Sequence, residues 1–259
     1  MAVAWWRSRR PYDGVAGLDL MRHEMLRRCC AAQVWLTIGG GKSNNGHDWR
    51  SGGGGGNGHG IHSYGNGNGG SGGGSRRGES ADPVGCVLFC NPNAGFYESI
   101  AAGGGDGDWV SFYTSIGCDV FLFNYRSFGR SGGTPSPARL NADAAEVATY
   151  LRERCGIARL AVHGESIGGI AAAHVARYAD VDLLVLDRTF ASLSAAAERL
   201  VGGWTRPAMA LFAPRWHTDV VDDYLNTRCA KLVVCDPEDA IIADAASLKA
   251  GVAARLELG

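Results

Sequence analysis

The sequence lacks an excess of either charge. Its 25 Lys and Arg stand against 26 Asp and Glu, a formal net charge of −1 over 259 residues. Without a clustered surplus of Lys and Arg there is no electrostatic footprint for nucleic acid, and no nucleic-acid partner is expected. Also lacking is any apolar run long enough for a membrane span or a signal peptide, so the expected localisation is cytoplasmic. The eight cysteines, Cys29, Cys30, Cys86, Cys90, Cys118, Cys155, Cys229 and Cys235, contain no CxxC pair and no regular spacing. Several sit inside apolar runs and read as reduced core thiols, not as a disulfide framework. His59 and His62 have no Cys or carboxylate at ligand spacing and read as solvated loop histidines. No metal and no organic cofactor is expected.

Glycine is what the sequence has in plenty, 39 residues in all. Between 51 and 78 roughly half of the positions are glycine, interleaved with Asn, Ser and His, a composition that cannot bury apolar surface. The expected organisation is a variable N-terminal segment over 1–50, a Gly-rich disordered linker or insertion over 51–80, and a catalytic domain over 81–259. Within the first segment, Leu18, Met21, Met25 and Leu26 mark an outer helix, and residues 33–38 an outer strand of the later sheet. Cys29 and Cys30, after Arg27 and Arg28, are candidate acyl acceptors that would give peripheral membrane contact.

Past the linker, short apolar strands alternate with helical segments. Strands are expected at 85–90, 119–124, 159–163, 181–186 and 231–235, and helices near 108–115, 138–155, 168–179, 193–201 and 243–256. Near-continuous apolar strands separated by helices imply a parallel sheet covered on both faces. In such sheets the chemistry sits at the carboxyl ends of the strands.

Gly164-Glu165-Ser166-Ile167-Gly168 lies there, between a strand and a helix, the context that a G-x-S-x-G elbow requires. Gly164 and Gly168 are needed because the turn is tight and a side chain would strike neighbouring backbone. The turn would hold the Ser166 hydroxyl above the sheet as a nucleophile, with the N-terminus of the next helix favouring an oxyanion. Asn91-Pro92-Asn93-Ala94-Gly95 follows an earlier strand, where hydrolases build the rest of the oxyanion hole. Pro92 has no N–H, so Asn93 and Ile167 are the expected donors.

From residue 81 on, the chain resembles the α/β-hydrolase superfamily, and within it small serine hydrolases related to protein depalmitoylases and serine-aminopeptidase-like hydrolases. The loop 91–95 resembles that branch's His-Gly-Asn-Ala-Gly. Residues 124–133, followed by Pro135-Ser136-Pro137 and a helix bearing Asp143, resemble its Tyr-Arg-Gly-Tyr-Gly-x-Ser-x-Gly loop. The resemblance implies an α/β-hydrolase fold, a mostly parallel central sheet with helices on both faces. It also implies a triad acid in the pattern Gly-x-x-Asp-x-x-Ile/Val, which falls on Asp239, with Asp236 in place of the glycine. The competing reading is that Asp239 only caps the next helix.

The order in this fold is Ser, acid, then His. No histidine follows Asp239: His23, His47, His59, His62, His163, His174 and His217 all precede it. The catalytic His is therefore expected to be missing through truncation before the element that carries it. His163 and His174 lack the geometry of a base, and His217, in a variable segment, could approach the pocket but reads as an ordinary loop or core histidine. Residues 191–224, with Trp204, Phe212 and Trp216, would form a cap whose apolar content suits an acyl group. Two readings stay open. One is an acyl-transfer hydrolase acting on a small-molecule or acylated-protein ester or thioester. The other is an inactive or truncated α/β-hydrolase-like binding protein. An aspartate-nucleophile dehalogenase or epoxide hydrolase fails, because the elbow residue is Ser.

Overall fold

The computed structural model describes residues 3–6, 34–35, 84–101, 109–236 and 238–256. The outer helix expected within 18–34, Cys29, Cys30 and the Gly-rich tract lie outside the described residues. Five strands run parallel: β3 (Gly85–Cys90), β4 (Cys118–Phe123), β5 (Leu160–Glu165), β6 (Leu183–Asp187) and β7 (Ala230–Val234). Two short strands, β1 (Val3–Trp6) and β2 (Val34–Trp35), close the edges antiparallel on β4 and β7. The spatial order is β1-β4-β3-β5-β6-β7-β2.

The side chains of β4 and β6 are buried at every position, as strands with both faces covered must be. Alternation divides them between two cores. Leu88, Phe121, Phe123, Val162 and Leu184 face one way; Val87, Phe89, Val120, Leu122 and Val185 face the other. On the second face pack Val110, Phe112 and Tyr113 of α2 (Trp109–Ser115), which follows the short α1 (Tyr97–Ala101).

The first face is covered chiefly by α3 (Pro137–Glu153) and α4 (Gly168–Tyr178). The start of α3 is written locally: Ser136 caps it by accepting from the Arg139 N–H, and Pro137 occupies a first-turn position where its missing N–H costs nothing. Leu140, Ala144, Val147 and Leu151 then recur at helical spacing, all buried. Burying each large one stabilises by about 1.5–3 kcal/mol. On α4 the small residues Ala171, Ala172, Ala173 and Ala176 let the helix lie close against the sheet. Beyond β6 come α5 (Leu193–Val201), α6 (Thr205–Phe212), a 3-10 turn (Pro214–Trp216) and α7 (Val220–Asn226).

The last helix, α8 (Leu248–Arg255), begins later than the expected start at 243. Ser247 is extended (φ −64°, ψ 156°) and its hydroxyl accepts from the Ala250 N–H, so the helix is capped there. The residues before it form a 3-10 turn instead, Asp244–Ala246.

Candidate active site

β5 runs two residues further than its apolar run suggests, to Glu165, and α4 begins at Gly168. Between them Ser166 takes φ +53°, a left-handed conformation that costs an L side chain about 1–2 kcal/mol. Three hydrogen bonds hold it. The Ser166 N–H donates to the Asp187 carbonyl (2.9 Å), and the Ser166 carbonyl accepts from Thr189 Oγ1 (2.6 Å) and the Gly169 N–H (3.0 Å). The flanking glycines are required by space. A Cβ on Gly164 would sit 2.6 Å from both the Ala172 Cβ and the Gly168 carbonyl oxygen, and one on Gly168 would strike the carbonyl oxygens of Cys90 and Asn91.

That last contact brings in the second loop. Cys90 of β3 pairs in register with Gly164, so the chain leaving β3 emerges beside the elbow. Asn91 is fully buried and its Nδ2 donates to the Phe123 carbonyl (2.6 Å), fixing the loop to β4. Pro92 to Gly95 form a tight turn closed by the Gly95 N–H on the Pro92 carbonyl (3.0 Å), with Ala94 at φ +59°. Asn93 is exposed at its tip. Among the described residues neither the Asn93 nor the Ile167 N–H has a hydrogen-bond partner, so both donors remain available. The adjacent loop after β4 is tied down by Asp143 of α3, which accepts from the Arg126 N–H (3.1 Å) and Nε (2.7 Å).

Asp239 lies in the loop after β7, half-buried. Its Oδ1 accepts from the N–H groups of Ile241 (2.8 Å) and Ile242 (2.9 Å), so it caps a turn and not a helix. Its charge bears on Asp187 and Arg188 at the end of β6, which places the loop near the elbow's own anchor.

The same strand ends carry an ion cluster that the sequence reading missed. Arg188, at φ +44°, donates to Glu165 Oε1 (2.7 Å) and to Asp187 Oδ1 (3.3 Å). Burial, and then the neighbouring Asp187 charge, push the Glu165 carboxyl up to about 7 against the pull of Arg188. Burial also raises Asp187 above the usual carboxylate range, with Arg188 opposing. The only signal in the sequence is that an Asp-Arg pair ends one strand and a Glu ends its neighbour.

The described histidines do not meet Ser166. His163 is fully buried in β5 among Phe89, Trp109 and Tyr113, its Nδ1 2.8 Å from the Tyr113 hydroxyl, and burial depresses it to about 3. His174 on α4 approaches Asp223 of α7 at 3.9 Å. His217 is exposed and lines a cavity of about 710 Å³ between the α5–α6 hairpin and α8, which Ser166 does not line. The described thiols are free, and burial pushes Cys90 and Cys118 up to about 12, which keeps them protonated and unreactive. Among the described residues no three His, Cys, Asp or Glu side chains group to hold a metal ion, and no helix is long and apolar enough to cross a membrane.

Part of the chain is similar in sequence to known proteins. A 38% identical stretch of 86 residues aligns with the protein bem46 of Schizosaccharomyces pombe, covering 32% of this chain and 29% of that one. The Escherichia coli K12 protein YfhR is 36% identical over 136 residues, 50% of this chain and 45% of its own length. The chain thus spans less than half the length of these curated relatives. Among solved structures, an alpha-beta hydrolase from Vibrio vulnificus superposes with a TM-score of 0.46 at 28% identity, over 54% of this chain and 52% of that one. The family model described as the alpha/beta hydrolase fold matches residues 101–237, just over half of the 259 residues. With that match and a parallel sheet bearing a strand-turn-helix elbow, the chain belongs to the alpha/beta hydrolase fold family.

Proposed function

We propose that the chain is a serine hydrolase that cleaves acyl esters or thioesters, S-acylated protein cysteines among them, through an acyl-enzyme on Ser166. Family membership supports a hydrolase. The observation that carries the finer reading is the backbone of Ser166 itself: a non-glycine residue at φ +53°, held by three hydrogen bonds and flanked by glycines that admit no Cβ. Strain of this kind is kept where it aims a side chain.

In this reading the Ser166 hydroxyl attacks the acyl carbonyl and gives its proton to a histidine paired with Asp239, a role that none of His163, His174 and His217 fills. The N–H groups of Asn93 and Ile167 stabilise the oxyanion, and the alcohol or thiol leaves with that proton. Water then repeats the sequence on the acyl-enzyme and frees the acid. Asp239 would orient the imidazole through Oδ2, since its Oδ1 is engaged by the loop. The substrate is a small molecule or an acylated protein, and no cofactor takes part.

A second reading has its own support: none of His163, His174 and His217 approaches Ser166 or Asp239 by hydrogen bond. A non-catalytic ligand-binding protein on this fold would look the same. A fluorophosphonate probe separates the two. Stoichiometric labelling that Ser166→Ala abolishes supports the hydrolase, and a folded chain that takes up no probe supports the binder.

A further inference from the structure

Scattered exposed apolar side chains are ordinary. Here they are gathered. Of the eleven strongly exposed large apolar side chains among the described residues, six fall between 200 and 216: Leu200 (58%), Val201 (60%), Trp204 (66%), Leu211 (72%), Phe212 (82%) and Trp216 (37%). Trp204, Pro207 and Leu211 recur at i, i+3 and i+7 and so share one face of α6, and that face points outward.

The hairpin is anchored at its base and at its turn. Ala196 and Thr205 are buried, the Thr205 hydroxyl donates to the Gly202 carbonyl (2.7 Å), and the Leu193 N–H donates to Thr218 Oγ1 (2.7 Å). The cavity of about 710 Å³ lies under the hairpin and is lined by Met209, Ala210 and Trp216, so the outward apolar face is carried by Leu200, Val201, Trp204, Leu211 and Phe212. Its charge is one-sided as well. Between 193 and 217 stand Arg199, Arg206 and Arg215 against the single acid Glu198, in a chain whose net charge is −1. Glu198 is taken up by Arg206 (3.5 Å), while Arg199 and Arg215 are exposed with no acidic partner among the described residues.

We propose that the α5–α6 hairpin is a membrane-docking surface that inserts Trp204, Leu211 and Phe212 into an anionic lipid interface, with the arginines on the headgroups. An apolar face with amphipathic Trp, in a segment whose exposed unpaired charges are the two arginines Arg199 and Arg215, matches the boundary between acyl chains and negative headgroups. A second copy of the chain fits less well, because a two-fold contact would bring two segments with the same excess of arginine together. The docking surface does not depend on the chemistry of Ser166.

The test is co-sedimentation of the full chain, purified without lipid modification, with phosphatidylcholine vesicles that contain or lack phosphatidylserine. The wild type is expected to pellet with the anionic vesicles. The double variant L211D/F212D should lower the partition coefficient by at least about tenfold. R199E/R215E should erase the preference for phosphatidylserine, at about fivefold per arginine. All four positions are exposed, so thermal melts should match the wild type. Failure of the wild type to bind either vesicle overturns the proposal, as does binding that L211D/F212D leaves unchanged. Concentration-dependent dimerisation abolished by L211D/F212D, without vesicle binding, would assign the face to a second copy instead.

Discussion

Arg188 Nη2 lies 2.7 Å from Glu165 Oε1, so one guanidinium bonds the residue that immediately precedes the elbow serine. The same arginine reaches Asp187 at 3.3 Å, and its N–H donates to the Val234 carbonyl at 2.9 Å. The carboxyl ends of β5, β6 and β7 are thereby tied together beneath Ser166, and the loop bearing Asp239 departs from the same knot.

Removing the cation leaves the buried Asp187 carboxyl beside the partly buried Glu165 carboxyl with no counter-charge. Arg188→Met is expected to destabilise the fold by about 2 kcal/mol, below the 3–5 kcal/mol of a fully buried pair because Arg188 is partly exposed. Urea unfolding near neutral pH reads this, and an unchanged midpoint would show that the cluster has no structural role.

The strained turn predicts an inverted pair of variants at one site. Ser166→Gly should be more stable than Ser166→Ala by about 1 kcal/mol, since only glycine adopts positive φ without penalty. Neither should take up a fluorophosphonate. Equal stabilities would show that the elbow carries no strain.

Gly164→Ala places a Cβ 2.6 Å from both the Ala172 Cβ and the Gly168 carbonyl oxygen, so α4 must move off the sheet. A loss of about 1–3 kcal/mol is expected. Relief by the second change Ala172→Gly should be partial, because the backbone contact persists. Gly132→Ala, with nothing within 4 Å of its added Cβ, is the matched control and should lie within about 0.5 kcal/mol of wild type.

Two groups, the partly buried Glu165 and the buried His163, drive the pH dependence of stability in opposite directions. Glu165 sits at about 7 in the fold against an ordinary 4.5, so the native state holds a proton that the unfolded chain releases. Stability from this group falls as pH rises from about 4.5 to about 7, by about 3 kcal/mol at most. His163 is depressed to about 3 from 6.5, so its contribution is present above 6.5 and is lost as pH falls towards 3. Unfolding of the wild type, Glu165→Gln and His163→Phe across this range separates them. Glu165→Gln should remove the falling component and His163→Phe the rising one. His163→Phe should also keep its probe labelling, because the ring is in the core and away from Ser166.

What was legible in the sequence was local. The glycines at 164 and 168 are dictated by contacts within a few residues or across one strand pair, and the five parallel strands are continuous apolar runs. What was not legible depends on distant pairing. Val3–Trp6 is only four residues long and is a strand because β4, more than a hundred residues on, accepts it in register from Val3 with Phe123 to Trp6 with Val120. The Glu165–Arg188 ion pair exists because β5 and β6 pair with Glu165 opposite Asp187. Helix α6 was overlooked because its apolar stripe faces outward and Pro207 sits in its first turn. The start of α8 moved because a single serine caps it.

The most direct test of the central claim is the identification of the residue that a fluorophosphonate modifies on the purified chain, by intact mass and then by peptide mapping. One equivalent of probe on Ser166, absent in Ser166→Ala and retained in His163→Phe, is the predicted result. A chain that melts cooperatively yet carries no adduct on Ser166 would contradict it.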